Sequence, residues 1–138
     1  MEVNSGYYDA QRALIGAVLL EPRIAGELFS AVREDDYSVP ELRTIFAAAR
    51  ELFLSGKSVD PVLIVSATSP AYDGLLREIL RDTPTAANWK AYAKALREGA
   101  ALRRAQALGA NLQEAVNAED ARTLLSGAQE LLMDRPDV

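Results

Sequence analysis

The sequence predicts an all-α protein, with a globular head of five or six helices followed by a projecting antiparallel helical hairpin. Apolar residues recur at helical spacing in successive segments, and capping residues or prolines separate these segments. The long segment from Thr83 to Val116 changes its apolar face near Gly99. A helix that buries opposite sides in its two halves cannot lie on one core, so its second half is expected to leave the head. The two stripes are Trp89, Tyr92, Ala93, Leu96 and Ala100, and then Leu102, Ala105, Leu112 and Val116.

A partner for the second half of this long helix follows directly in the sequence. Asn117 or a neighbouring residue can cap a last helix, and Glu119 and Asp120 fall in its first turn, where acidic side chains favour the helix dipole. The two segments together predict the hairpin. In the alternative, Gly99 bends the long helix around one compact bundle. The apolar stripe of the last helix comprises Ala121, Leu124, Leu125, Ala128, Leu131 and Leu132.

Start and stop signals give the helices in the first half of the head. Asp9 can cap a helix over Ala10–Leu20, and Pro22 ends it and begins a second helix. Ser38-Val39-Pro40-Glu41 has the pattern of a capping box and predicts a third helix. Gly56 is expected to end that helix, because this position commonly requires a left-handed backbone.

The second half of the head repeats one device, a capping residue followed by proline. Asp60-Pro61 precedes Val62–Val65, a β-branched run that alone could form a buried strand, but the cap and the short length favour a helix. Ser69-Pro70 introduces a helix over Ala71–Leu80. Thr83 and Thr85 can both cap the long helix, and Pro84 suits its first turn. The aromatic residues predicted in the core are Phe46 and Trp89.

Composition bounds the class of protein. The chain has 138 residues, which fits a single domain, residues 1–138, with the head at about 9–100 and the hairpin at about 101–133. It contains no cysteine and no histidine, so disulfides, the usual zinc sets and histidine catalysis are excluded. The apolar run Leu14–Leu20 is too short for a membrane span, and the first residues lack the basic start of a signal peptide. These features favour a cytoplasmic protein.

Charge is distributed unevenly along the chain. The formal net charge of −5 disfavours a surface devoted to phosphate backbones. Residues 83–104 carry five Lys or Arg against Glu98 alone, a net charge of +4, whereas residues 105–138 carry two Arg against six acids, a net charge of −4. A local basic strip beside an acidic arm is more typical of protein contacts or solubility than of DNA binding.

No catalytic, cofactor-binding or metal site is predicted. Gly56-Lys57-Ser58 resembles the end of a phosphate-binding loop, but Glu51 stands where the required glycine would be and a helix precedes it. The acidic pairs Asp35-Asp36 and Glu119-Asp120 fit solvated or capping positions better than acid–base catalysis. The residues alone therefore predict a helical binding or assembly module that is not an enzyme.

The order of short motifs resembles the N-terminal domain of the DnaB-type replicative DNA helicases over nearly the whole chain. No single motif is decisive, but their order and spacing together are specific. The matching stretches are Asp9–Leu20, Asp36-Tyr37 with Pro40, Ile45-Phe46 with Leu52, Gly56 with Val59-Asp60, Thr83-Pro84 with Ala87-Asn88, Tyr92-Ala93 and Arg103-Arg104.

The resemblance implies a non-catalytic domain with a helical head and a hairpin. In that family, hairpins pair between subunits, dimers build a collar over the motor ring, and the collar receives the C-terminal domain of a DnaG-type primase. The implied partners are therefore a second copy of the chain, this primase domain and a helicase loader, with DNA bound only by a motor domain. Leu42 replaces a frequent histidine of the family, the segment from Asp60 to Tyr72 is shorter than usual, and the chain ends where a linker to the ATPase would begin.

The hairpin carries more apolar residues than one seam between two helices needs. The surplus is expected to face a second subunit or a partner, since two-fold pairing of hairpins would bury it. In the alternative, the surplus folds back on the head. The candidate self-association and partner surface comprises Leu102, Leu112, Val116, Leu124, Leu125, Leu131 and Leu132.

Two other functions stay open from the sequence. The chain could be a stand-alone adaptor or inhibitor that binds a host helicase or primase. It could also be the helicase-binding C-terminal domain of a primase, which shares the same plan of head and hairpin. The gene distinguishes them, because a phosphate-binding loop encoded downstream of Val138 indicates a helicase and a polymerase core encoded upstream of Met1 indicates a primase.

Overall fold

The computed structural model describes the backbone of residues 2–133 and the side chains of residues 6–129. All regular structure within that range is helical, and three short 3₁₀ turns, Pro22–Ile24, Glu34–Asp36 and Pro70–Tyr72, join some of the helices. Within the same range, no helix has the length and apolarity needed to cross a bilayer. The helices are α1 (Glu2–Leu20), α2 (Ala25–Ala31), α3 (Pro40–Leu54), α4 (Pro61–Ala67), α5 (Asp73–Asp82), α6 (Trp89–Gln113) and α7 (Ala118–Met133).

The core of the head forms where α1 packs along the first half of α6, with α2, α3 and α5 around them. Phe46 of α3 is fully buried and Trp89 is nearly so, which confirms both as core residues. The ring of Phe46 lies 5.2 Å from that of Phe29, edge to face, and 4.7 Å from that of Tyr37. The other fully buried large side chains include Leu14, Ile15, Leu28, Leu42, Ile45, Ile64, Leu76, Ile79 and Leu96.

Several helix boundaries follow the predicted local signals. The Asp60 carboxylate accepts a hydrogen bond from the Leu63 N–H at 2.9 Å, so the β-branched run is a helix as expected. The Ser69 hydroxyl accepts from the Ala71 N–H at 3.1 Å. Gly56 has φ of +73°, and Lys57 donates its N–H to the Leu52 carbonyl at 2.9 Å. This arrangement ends α3 and uses the Lys57 N–H that a phosphate loop would need.

The predicted capping box at Ser38 is wrong, because the Ser38 side chain binds a residue of α1 instead of capping α3. Val39 precedes α3 without a side-chain cap, while the Ser38 hydroxyl accepts a hydrogen bond from the Gln11 amide at 2.9 Å. The Gln11 carbonyl oxygen accepts from the N–H groups of Ser38 and Val39 at 3.0 and 3.1 Å. The fully buried Gln11 therefore holds the segment that leads into α3 from another helix, because it accepts from donors that the local chain leaves open.

The predicted starts of two helices also differ from the structure. The first helix begins at Glu2, so Asp9 lies inside it and does not cap it. The long helix begins at Trp89, because Thr83 belongs to the end of α5, where its hydroxyl donates to the Ile79 carbonyl at 2.7 Å. A Cβ at Gly16 would stand 2.2 Å from the Thr83 hydroxyl oxygen, so the Thr83 side chain packs directly on the backbone of α1 at Gly16. Tertiary packing thus overrides the local threonine–proline signal.

The hairpin has the predicted antiparallel arrangement. All buried residues of α6 lie in its first half, ending at Ala100, and α7 packs against the second half. The Asn117 side chain accepts a hydrogen bond from the Asp120 N–H at 2.8 Å, which confirms it as the cap of α7. The long helix continues through Gly99 without interruption, so the fold is a head with a hairpin and not one compact bundle.

Candidate assembly surface on the helical hairpin

Two consecutive arginines attach α6 to the head at the point where the hairpin begins. Arg103 and Arg104 donate to the Asp35 carbonyl oxygen at 2.8 and 3.1 Å. Arg104 also binds the Asp36 carboxylate at 3.0 Å, and this carboxylate is fully buried. The other carboxylate oxygen accepts the Arg33 N–H at 3.0 Å. The charge of Asp36 is thus taken up by a guanidinium and a backbone donor, as a buried carboxylate requires.

Tyr7 completes this junction from the side of α1. Its hydroxyl donates to the Asp36 carbonyl oxygen and lies 3.3 Å from the Arg103 Nε. Its ring lies directly on the backbone of α6, because a Cβ at Gly99 would stand 2.4 Å from the ring atoms. We refer to Tyr7, Asp35, Asp36, Arg103 and Arg104 as the junction cluster. The cluster fixes α6 against the head at the point where side chains of α6 begin to line the seam with α7.

The seam between α6 and α7 is lined by small residues and a few leucines, and it leaves a groove open to one side. The groove has a volume of about 430 Å³ and a mainly apolar lining. Interiors of proteins are normally packed without such space, so the groove can accept side chains from another element. The lining residues are Ala101, Arg104, Ala105, Ala107, Leu108, Asn111, Thr123, Leu124, Gly127 and Ala128.

The structure divides the seven predicted surface residues among several places. Leu112 and Leu124 are half-buried, and Leu124 lines the groove of the seam. Val116, in the loop at the tip, is 86% exposed, and Leu125 on α7 is 48% exposed. Leu131 and Leu132 belong to α7, but their side chains lie outside the described residues. Two of the described residues thus lie half-buried in the seam, and the others are exposed at separate places. Their role in assembly stays a prediction.

Leu102, the remaining predicted residue, lies at the root of the hairpin. It is 40% exposed and borders a second, smaller groove together with Tyr8 of α1, which is 43% exposed. Sequence reasoning did not include Tyr8 in the candidate surface, because the first helix was expected to begin only after Asp9. The only available signal was the pair of adjacent aromatics at positions 7 and 8, of which one is buried on α6 and the other faces out.

Among the described residues, no group of three or more His, Cys, Asp or Glu side chains is placed to hold a metal ion. Burial raises the pKa of the Tyr37 hydroxyl, and the negative charge of Asp36 raises it further. Tyr37 therefore stays protonated at neutral pH and cannot act as a base. The hairpin, by contrast, exposes apolar side chains and the groove of its seam.

Comparisons with known proteins agree with this description. A family described as the DnaB-like helicase N terminal domain matches residues 4–98. The fold is similar to the crystal structure of the N-terminal domain of DnaB helicase from Mycobacterium tuberculosis, with a TM-score of 0.76 and 22% sequence identity. The similarity covers 86% of this chain and 94% of that chain. No curated protein sequence matches the chain.

Proposed function

Because the chain belongs to the DnaB-like helicase N-terminal domain family, we propose that it is a non-catalytic assembly domain of a replicative DNA helicase. In this proposal, the hairpin pairs with the hairpin of a second copy, and the resulting dimers build a collar. The collar docks the C-terminal domain of a primase, with a helicase loader as a further partner. The unwinding itself would belong to a motor domain, and the protein would act in the cytoplasm.

The observation that supports self-association most directly is the apolar surface that the hairpin leaves uncovered. The groove of about 430 Å³ and the exposed side chains of Leu125 and Val116 lie on the same two helices and their connecting loop. Two hairpins related by a two-fold axis would form a four-helix arrangement, in which each could cover the other's apolar surface. Removal of this apolar surface from water would contribute about 25 cal/mol for each Å², and the free energy of association is what remains after the entropic cost of association.

The test compares two charge insertions on α7. Leu125→Glu places a carboxylate on exposed apolar surface, while Ser126→Glu adds the same charge at an exposed polar position beside it. Leu112 is unsuitable for this purpose, because it is half-buried and a charge there would disturb the seam itself. Sedimentation and light scattering at micromolar concentrations give the mass of the parent and of both variants, and circular dichroism checks that they remain helical.

We expect the parent and Ser126→Glu to be dimers or larger, and Leu125→Glu to dissociate at least about tenfold more readily. We also expect Leu125→Glu to bind the primase C-terminal domain weakly in calorimetry, since docking depends on the paired hairpins. A parent that stays monomeric at these concentrations would contradict self-association through this chain. Equal masses for the two variants would show that the pairing surface lies elsewhere.

A further inference from the structure

The head has a groove of its own between α2 and the first two turns of α6. Its volume is about 550 Å³, and its lining is mainly apolar. Gly26, Ala31 and Ala93 supply no side chain beyond a methyl group, and the nearly buried Trp89 lines the groove beside them. Because these residues are small, an apolar side chain from another molecule can approach the two helices closely.

Three basic residues from α6 line the same groove. Lys90, Lys94 and Arg97 recur at helical spacing, so they form one stripe along the groove. Glu27 of α2 is the one acidic residue among the lining residues that the structure describes. The stripe is therefore positive on a chain whose formal net charge is −5.

These cations are only weakly engaged by the chain itself. The Lys90 ammonium lies 3.9 Å from the Glu27 carboxylate and 5.8 Å from the centre of the Trp89 ring. Because the Lys90 and Glu27 side chains are largely exposed, both interactions contribute little. Arg97 makes one long contact, 3.5 Å, to the Ala31 carbonyl oxygen. Lys94 has no ion pair within the described part of the chain. An incoming carboxylate would therefore displace no strong interaction.

The combination of an apolar floor and a basic stripe defines the partner. An amphipathic helix presents an apolar stripe with charged residues beside it at the same spacing, which matches both features of the groove. A single-stranded nucleic acid would use the positive charge, but its bases stack on exposed aromatic faces, and Trp89 is nearly buried. The apolar floor would then stay uncovered. The geometry thus favours a helical protein segment.

We propose that the groove between α2 and α6 is a docking site for an amphipathic helix of a partner protein. The apolar stripe of that helix fills the groove over Gly26, Ala31 and Ala93, and its acidic residues pair with Lys90, Lys94 and Arg97. The proposal goes beyond assembly through the hairpin and does not depend on it, since none of these residues lies on the second half of α6 or on α7.

The probe is a synthetic helix of about 18 residues, long enough to be partly helical alone. It carries leucines at i, i+3, i+4 and i+7 spacing and glutamates along one flank. A second peptide has lysine in place of each glutamate, and a third has serine in place of each leucine. Fluorescence anisotropy measures the binding of each labelled peptide to the full chain at several salt concentrations.

Two variants of the chain change the groove in different ways. Lys90→Glu with Lys94→Glu reverses the charge of the stripe, and Gly26→Leu adds a bulky side chain at a residue that lines the groove. A Cβ at Gly26 meets only the Phe53 ring at 3.7 Å, an ordinary contact, so the second variant should fold. The matched control is Arg50→Glu with Lys57→Glu, which changes the net charge equally at exposed positions outside the groove.

We expect the acidic peptide to bind the parent and the control, and to bind both groove variants at least about tenfold more weakly. Binding of the acidic peptide should also weaken with salt, and the lysine and serine peptides should bind poorly. Equal binding of the acidic peptide to the control and to both groove variants would overturn the proposal. So would preferred binding of a labelled single-stranded oligonucleotide, which would indicate a nucleic-acid site.

The mass of the groove variants in solution tests whether a second copy of the chain occupies the groove. Sedimentation of the groove variants should give the same mass as the parent, because the groove receives a different protein. A loss of self-association in both groove variants, with the control unchanged, would show that a second copy occupies the groove and would overturn the proposal. This result is separable from failure of hairpin pairing, which the Leu125→Glu variant reports.

Discussion

The two halves of α6 show how differently the head and the hairpin are stabilised. In the first half, Leu96 and Ala100 are fully buried against α1 and the rest of the head. A few residues further along the same helix, Leu102 is exposed and Leu108 and Leu112 are only half-buried. The first half of this helix thus packs in a closed core, and the second half lines an open seam. The difference indicates that the head closes its own core, whereas the hairpin leaves apolar surface exposed.

Polar contacts follow the same division. In the head, the buried side chains of Gln11 and Asp36 are tied to groups far away in sequence. In the described part of the hairpin, the side-chain hydrogen bonds of α7 are local, such as the cap from Asn117 to Asp120. Long-range polar contacts specify one arrangement, so we expect the head and the junction cluster to be more rigid than the tip of the hairpin.

The largest expected effect compares the core with the seam. Phe46→Ala should reduce the free energy of unfolding by about 3 to 5 kcal/mol, because it leaves a cavity between the rings of Phe29 and Tyr37. Leu124→Ala, in the half-buried seam, should reduce it by about 1 kcal/mol in the monomer. Urea unfolding at low protein concentration measures both. Equal losses would show that the seam is as closely packed as the core.

The next effect concerns the junction cluster. Arg104→Met keeps the apolar stem of the side chain but removes the guanidinium that faces the buried Asp36 carboxylate, and should cost about 3 kcal/mol. Arg122→Met is the control, because Arg122 is exposed on α7, and it should change stability by less than about 0.5 kcal/mol. If thermal or urea unfolding gives similar values for both variants, the junction does not fasten the hairpin to the head.

Smaller changes in stability, of opposite sign to each other, are expected when two glycines of α6 are replaced by alanine. Gly99→Ala drives a Cβ to 2.4 Å from the Tyr7 ring and should cost about 1 to 3 kcal/mol. Gly109→Ala meets nothing within 4 Å and should instead stabilise the helix by up to about 1 kcal/mol. The melting temperatures of both variants provide the measurement. A stabilising Gly99→Ala would mean that α1 does not press on α6 at the junction.

The smallest effect lies inside the head. The Tyr37 hydroxyl is buried without a hydrogen-bond partner among the described residues, so Tyr37→Phe should be neutral or stabilise by up to about 1 kcal/mol. Burial raises the pKa of this hydroxyl above its ordinary value of 10.0. The unfolded chain therefore loses this proton at a lower pH than the native protein. The free energy of unfolding is fully present below the pKa of the unfolded chain, and it falls as the pH rises from that pKa towards the higher pKa of the native protein.

Urea unfolding of the parent and of Tyr37→Phe across about pH 8 to 11 checks this sign. The phenylalanine variant should lose less stability over that interval, since it has no proton to release. A parallel decline in both proteins would place the alkaline sensitivity on the other tyrosines and lysines.

Local signals explain why much of the fold could be predicted. The caps at Asp60, Ser69 and Asn117 act within three residues, and the left-handed Gly56 closes the last turn of the helix that precedes it. The change of apolar face along α6 predicted the hairpin, because helical periodicity depends only on spacing. For the candidate surface, spacing placed apolar residues on the hairpin, but it could not tell the seam residue Leu124 from the exposed Leu125.

The sequence by itself therefore determined the helical class, the hairpin, the family and the absence of cysteine and histidine. Only the tertiary structure decided that Ser38 binds Gln11, that Thr83 ends α5, and that the Tyr7 ring packs on the backbone of α6 at Gly99. The physical reason is the range of the interactions. Caps and periodicity act within one or two turns, whereas these contacts join groups that are far apart in sequence and come together only when the core forms.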